Sequence, residues 1–225
     1  MAASSRLRPL PTEFPVFPLP GAMLLPGGRL PLNIFEPRYL AMVDDALGNE
    51  RLIGMIQPDP NRAATPTGPG LYRVGCLGRI TSFSETEDGR YLITLAGLTR
   101  FAAGVELEMV RGYRRLRADL ARFAADLEPV PQLETDADGA QRQTLLRALR
   151  AYFATRGFEA NWEAIDEMAD DALVSTLSMI CPFEPAEKQM LLEAPTVADR
   201  GRALLALFEI GAHTSEPDQT DRKLS

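Results

Sequence analysis

Residues 33–40 read NIFEPRYL and fall where a proline-broken extended segment gives way to a helical pattern. Upstream, prolines at 15, 18, 20, 26 and 31 divide Phe14 to Leu32 into short pieces. Proline cannot donate to the ladder of a central strand, so edge strands and loops are expected there. Downstream, Leu40, Val43 and Leu47 recur at i, i+3 and i+7, one stripe of a helix about three turns long that Gly48 can close in the left-handed conformation. The residue before a proline avoids the helical region, whereas proline itself suits the first helical position. Glu36 therefore reads as the N-cap, Pro37 as the helix start, and Arg38 as the partner of a nearby carboxylate, Glu36 included. The three make a structural joint, and a capping Glu36 implies that Glu36→Ala costs roughly 0.5–2 kcal/mol.

Working outward, the first half is rich in glycine, proline and short apolar runs, while the part after about residue 140 follows a 3.6-residue period. This argues for two subdomains of different class. Leu52 to Ile56 is a compact buried strand, and QPDPNRAATPTGPG after it is an exposed loop. Val74 to Phe83 and Tyr91 to Ala96 form a hairpin around Asp88-Gly89, and Phe101 to Met109 continues as strand. Local propensity alone makes Tyr113 to Leu127 helical.

In the second half, Leu145, Leu146, Leu149 and Phe153 share a face of a helix ending at Gly157, and Asn161 caps a short segment that starts at Trp162. Asp171 to Ile180 is a further helix. A second Phe-Glu-Pro, residues 183–185, opens another by the logic of the first, and Thr196 with Asp199 forms a capping box for the last.

Composition narrows the function. The 225 residues are 45% apolar, enough for a real core, and the net charge of -7, without a long Lys/Arg run, makes nucleic acid an unfavoured partner. No apolar window approaches the ~18 residues of a membrane span, and MAASSRLRPLPTEF lacks the apolar middle of a secretory signal, so the expected setting is the cytoplasm. Cys76 and Cys181 read as buried thiols. The single histidine, His213, lies in a polar C-terminal stretch, away from any cleft that a triad, a Cys-His pair or a zinc site would need.

The other candidates have plain readings. Lys188 is expected on the solvated face of its helix, where its pKa is not depressed into the catalytic range. Asp44-Asp45 and Asp170-Asp171 are adjacent in sequence, so on a helix their side chains diverge by ~100° and do not converge on one ion. With Glu85, Glu87 and Asp88 they read as solvated faces and caps. Glycines in GPGLYRVGCLG serve turns and bulges, since the strand, loop and helix order of a phosphate cradle is missing. Tyr152, Phe153, Phe158 and Trp162 are assigned to core packing.

Three blocks together resemble one known family: FPLPGAMLLPGGRLPLNIFEPRYLAMVDDAL, the strand pair around GRITSF and YLITLAGLTRF, and PFEPAEKQMLLEAPTVADRGRALLALFE. They are similar to the Lon protease N-terminal substrate-binding domain family, from about Phe14 to Ala212, and within it to stand-alone bacterial members. The resemblance implies an α+β fold, a PUA-like β pseudo-barrel followed by a small C-terminal helical bundle, and makes Tyr113 to Asp119 a strand. The implied organisation is a flexible tail over 1–13, a β-rich subdomain over 14–127, a linker over 128–140, a bundle over 141–212 and a disordered tail over 213–225. No window matches the G-x-x-x-x-G-K-[ST] loop of the Lon ATPase, and the chain is expected to lack both ATPase and protease modules.

The function implied is recognition of polypeptide segments or a protein partner, as an adaptor without catalysis, cofactor or metal, in a groove between barrel and bundle. Phe17, Leu25, Phe83 and Tyr91 are the candidate peptide contacts. A hydrolase and, because other PUA-like folds bind RNA, an RNA-binding protein are the alternatives.

Overall fold

Phe14, Val16 and Phe17 alternate with prolines in β1 (Glu13–Pro18), and this spacing turns the apolar side chains inward while the prolines limit which neighbours can pair. In the computed structural model, which describes residues 9–128 and 140–213, β1 lies between β3 (Leu52–Ile56), to which it is parallel, and β6 (Tyr113–Asp119), to which it is antiparallel. The strands β4 (Val74–Glu85) and β5 (Tyr91–Val110) continue from β3 in antiparallel order. The 20-residue β5 is long enough to serve twice. Its first half pairs with β2 (Arg29–Ile34), and its second half reaches β6, closing the strands β5-β4-β3-β1-β6 into the expected pseudo-barrel with β2 outside the ring.

Barrel closure follows from side-chain alternation. Phe14, Val16, Leu52, Ile56, Leu77, Phe101 and Leu116 meet inside, with the Phe14 and Phe101 rings edge to face at 5.1 Å. Tyr113 to Asp119 is a strand, as the resemblance implies and against its helical propensity, because it is held between two neighbours. Only Ala121–Leu127 winds, as a 3-10 turn.

The entry to β2 depends on two glycines. Leu25-Pro26-Gly27-Gly28 is a turn closed by the Gly28 N–H on the Leu25 carbonyl, with Gly27 at φ 76°, the conformation that proline followed by glycine favours. The Gly27 N–H then donates to the Gly97 carbonyl, and the Gly97 N–H donates to the Gly28 carbonyl. This is a bulge that sets the register of β2 on β5. A Cβ on Gly97 would lie 2.0 Å from the Leu25 carbonyl oxygen.

Helix α1 (Pro37–Leu47) begins at the joint and buries Tyr39, Met42, Val43 and Ala46. Its end differs from expectation. Gly48 is right-handed at φ -71°, and the left-handed residue is Arg51 at φ 62°. The loop after β3 is largely exposed but tied, through Asp59 N–H on the Gly70 carbonyl and Arg62 on the Leu71 carbonyl.

The helices divide between two units. Residues 140–181 and 193–213 form the second unit, which holds α2 (Ala140–Arg156), α3 (Trp162–Glu167), α4 (Asp170–Ile180) and α6 (Val197–His213). Here Asn161 caps α3 by accepting from Ala164 N–H at 3.1 Å, Thr196 and Asp199 cap α6 reciprocally, and Tyr152 packs on Phe208. The tails and linker expected from the sequence fall mostly outside the described residues, as does the His213 side chain.

Helix α5 (Pro185–Glu193) was expected in the bundle, but residues 182–192 belong with the barrel unit. Two polar attachments explain this. The buried Gln57 carboxamide accepts from Gly21 N–H and donates to the Pro185 carbonyl and to Gln189, whose own amide donates to the Val74 carbonyl. Arg100, paired with Asp126 at 2.8 Å, donates to the Leu192 carbonyl. Lys188 is correspondingly buried, at 7% exposure, rather than solvated.

Gln57→Leu is nearly isosteric but leaves Gly21 N–H, the Pro185 carbonyl and Gln189 without this partner. At about 1–3 kcal/mol for a group left unsatisfied, chemical denaturation should show a loss of roughly 2–4 kcal/mol. A loss under about 0.5 kcal/mol, the usual range of surface changes, would mean that the amide does not hold α5.

Candidate functional site

The joint at 36–38 forms as expected in the backbone but not in the side chain. Pro37 is the first residue of α1, and the Glu36 carbonyl accepts from Tyr39 and Leu40 N–H. The Glu36 carboxylate makes no cap and instead accepts from Arg38 at 3.0 Å. An exposed pair of this kind is worth about 0–1 kcal/mol, less than the capping contribution expected for Glu36. At the second Phe-Glu-Pro the geometry differs, since Glu184 N–H donates to Glu187 three residues on. Position 39 holds a tyrosine, so the first joint has no such box.

The two phenylalanines differ as well. Phe183 is 8% exposed, while Phe35 is 63% exposed. Phe35 stands at the rim of a cleft of about 440 Å³ in the barrel unit. One wall is the end of β1 and the loop after it, Phe17 to Pro20; the opposite wall is Leu32 to Tyr39; Pro58, Thr67 to Pro69 and Arg114 complete it.

The floor is aromatic. Phe17 and Tyr39 rings lie 4.2 Å apart, and the Arg38 guanidinium sits 4.6 Å from the Tyr39 ring centroid. Burial raises the Tyr39 pKa, against a lowering by Arg38. At the far side Arg114 holds Glu106 through two bonds of 2.6 and 2.9 Å and reaches the Pro69 carbonyl, while Thr67 donates to the same carboxylate. Burial pushes Glu106 up, but the bonds from Arg114 and Thr67 outweigh it and leave its carboxyl below the usual range.

Both arginines of the cleft are thus neutralised by a carboxylate beside them. The lining has no cysteine, histidine, lysine or serine and a single carboxylate, Glu36, and most of its residues are apolar.

The four candidate contacts do not assemble in one place. Phe17 is buried in the cleft floor, and Leu25 is completely buried in the turn before β2, so it offers no surface. Phe83 and Tyr91 form an edge-to-face pair 4.9 Å apart on the β4–β5 hairpin, with Phe83 42% exposed. Phe35 is not among the four; the sequence difference between the two Phe-Glu-Pro segments is the residue two after the proline, Tyr39 in the first and Glu187 in the second.

Asp44 is exposed as expected and Asp45 partly buried, and both also clasp hairpins to α1. Tyr91 donates to Asp44 at 3.0 Å, and Arg111 and Tyr113 each donate to Asp45 at 2.8 Å. The β5–β6 turn that presents Arg111 is a two-residue one, with Arg111 and Gly112 at φ 48° and 85°. Asp170 pairs with Arg142, and Asp88 with Arg90. Among the described residues no three cysteine, histidine or carboxylate side chains gather as a metal site would require, Cys76 and Cys181 are buried, and no helix is long and apolar enough to cross a membrane.

These features describe a mixed-sheet pseudo-barrel with a largely apolar cleft, and C-terminal helices. Residues 13–209 match the model of the ATP-dependent protease La (LON) substrate-binding domain, and the chain belongs to that family. Lon protease 2 of Sorangium cellulosum (strain So ce56) is 30% identical over 212 residues, covering 91% of this chain and 26% of the relative. Lon protease 2 of Myxococcus xanthus is 26% identical over 88% of this chain and 24% of the relative. The chain therefore spans about a quarter of the length of these curated relatives. The Lon N-terminal domain protein from Xanthomonas campestris superposes with a TM-score of 0.59 at 23% identity, covering 86% of this chain and 97% of that one. The N terminal domain of Mycobacterium avium complex Lon protease gives 0.59 at 21%, covering 87% and 97%. The expected α+β architecture is the one these domains share.

Burial and the bond to Asp45 raise the Tyr113 pKa to about 12 from 10.0. With the folded value above the unfolded one, neutral Tyr113 stabilises the fold below about pH 10, and this contribution is lost as pH rises through about 12. Melting and tyrosinate absorbance should both show an alkaline transition that Tyr113→Phe removes. An unchanged profile in that variant would show that the clasp does not depend on the phenol.

Proposed function

We propose that this chain recognises exposed apolar segments of other polypeptides at the Phe35 cleft, as an adaptor that makes and breaks no covalent bond. The observation that carries the reading is Phe35, 63% exposed at the mouth of an apolar cleft, where burial against a partner would recover the free energy lost to water. Membership of the Lon substrate-binding domain family supports the same class of partner. The paired arginines argue against phosphate as the ligand of this cleft, and with it against RNA. The groups lining it argue against hydrolysis. The setting in this reading is the cytoplasm.

Burying a phenylalanine side chain contributes about 1.5–3 kcal/mol. Calorimetric titration with a carboxymethylated, permanently unfolded protein should therefore bind Phe35→Ser about tenfold or more weakly than the parent, at the parent's melting temperature. Equal affinity would remove Phe35 from the site. The titrant should stay intact through the incubation without ATP; cleavage abolished by a substitution in this chain would contradict the adaptor reading.

A further inference from the structure

The cleft is continued by an open sheet edge. Strand β2 pairs only with β5 among the described residues, in the register Arg29↔Ala96 to Ile34↔Tyr91. The bulge bonds Gly97 N–H to the Gly28 carbonyl, so antiparallel alternation makes Leu30, Leu32 and Ile34 the residues whose backbone groups point to β5. Arg29, Pro31 and Asn33 point theirs the other way, all three are exposed, and nothing among the described residues bonds to them. The edge presents carbonyls from these three residues and N–H groups from Arg29 and Asn33 only, because Pro31 has none.

We propose that an extended polypeptide segment adds to β2 as a further strand, so that its alternate side chains continue the Leu32 and Ile34 face into the Phe35 cleft. This rests on the recognition reading above and specifies its ligand: an extended segment with apolar residues at alternate positions, bound through main-chain hydrogen bonds with side-chain selection in the cleft. The spacing of the unpaired groups matches a β-strand and no helix, since a helix spends its backbone groups internally. A second copy of β2 fits less well. Antiparallel self-pairing centred on Pro31 would set two residues without N–H opposite each other, whereas a client strand meets one. The β4 edge beyond Ile80 is less suited, since its exposed side chains are mostly polar.

The test uses a capped eight-residue peptide of alternating valine and threonine with one central phenylalanine. It is titrated beside two versions N-methylated at alternate residues, one in each register. The expected result is that one N-methylated register loses about tenfold or more in affinity while the other keeps the parent value. Asn33→Pro, which removes an outward N–H, weakens the parent peptide, and Pro31→Val, which adds one, tightens it. If neither N-methylated register affects binding while Phe35→Ser still weakens it, strand addition is wrong and recognition by the cleft stands. If the parent peptide does not bind, and Phe35→Ser leaves the unfolded-protein titration unchanged, both readings fail. Sedimentation that shows a dimer dissolved by Asn33→Pro would assign the edge to a second copy and overturn the client.

Discussion

One buried amide, the Gln57 side chain, joins the pieces on which the cleft depends. It receives the Gly21 N–H at 3.0 Å and so anchors the loop whose Leu19 and Pro20 form one cleft wall. Its own N–H groups reach the Pro185 carbonyl at 3.0 Å and Gln189 at 3.2 Å, and Gln189 passes the connection to Val74 at the start of β4. A polar group buried to 1% exposure is tolerated only when its bonds are made, so this network admits one arrangement of loop, strand and helix. Among the described residues the barrel unit holds 9–128 and, after the intervening part of the second unit, the single helical stretch 182–192.

The two Phe-Glu-Pro joints show how the same local chemistry serves different ends. At the second, Glu187 completes the cap and the phenylalanine is buried. At the first, Glu36 is engaged by Arg38, Tyr39 packs its ring against Phe17, and Phe35 is left in solvent. Phe35 differs from the other exposed apolar side chains in standing beside an apolar cleft, so docking of an apolar segment there would bury it. The β2 edge beside it would supply the backbone half of the same interaction.

Much of the fold was legible because its signals are local. A short apolar run marks β3, turn chemistry marks the β4–β5 hairpin and proline the helix starts at Pro37 and Pro185, and the capping box at Thr196 and Asp199 forms as its residues imply. What stayed hidden depends on contacts distant in sequence. Tyr113 to Asp119 looks helical until β1 and β5 flank it. Helix α5 looks like a bundle helix until Gln57, 132 residues away from Gln189, is known to hold it. Asp44 and Asp45 show nothing of their partners until the chain brings Tyr91, Arg111 and Tyr113 to them. Of the four candidate contacts, Phe17 lines the barrel-unit cleft rather than the expected groove between barrel and bundle. Leu25 was not separable from core, since an apolar residue next to a proline carries no mark of which way it points.

Amide chemical shifts of the isotopically labelled chain, titrated with the carboxymethylated unfolded protein, test the central claim most directly. The account predicts shifts concentrated at Leu32 to Phe35, Arg38, Tyr39, Thr67 and Gly68, which line the cleft, while the barrel interior around Phe14 and Phe101 stays in place. Shifts confined to the helical unit or to the hairpin around Phe83, with the cleft silent, would contradict it.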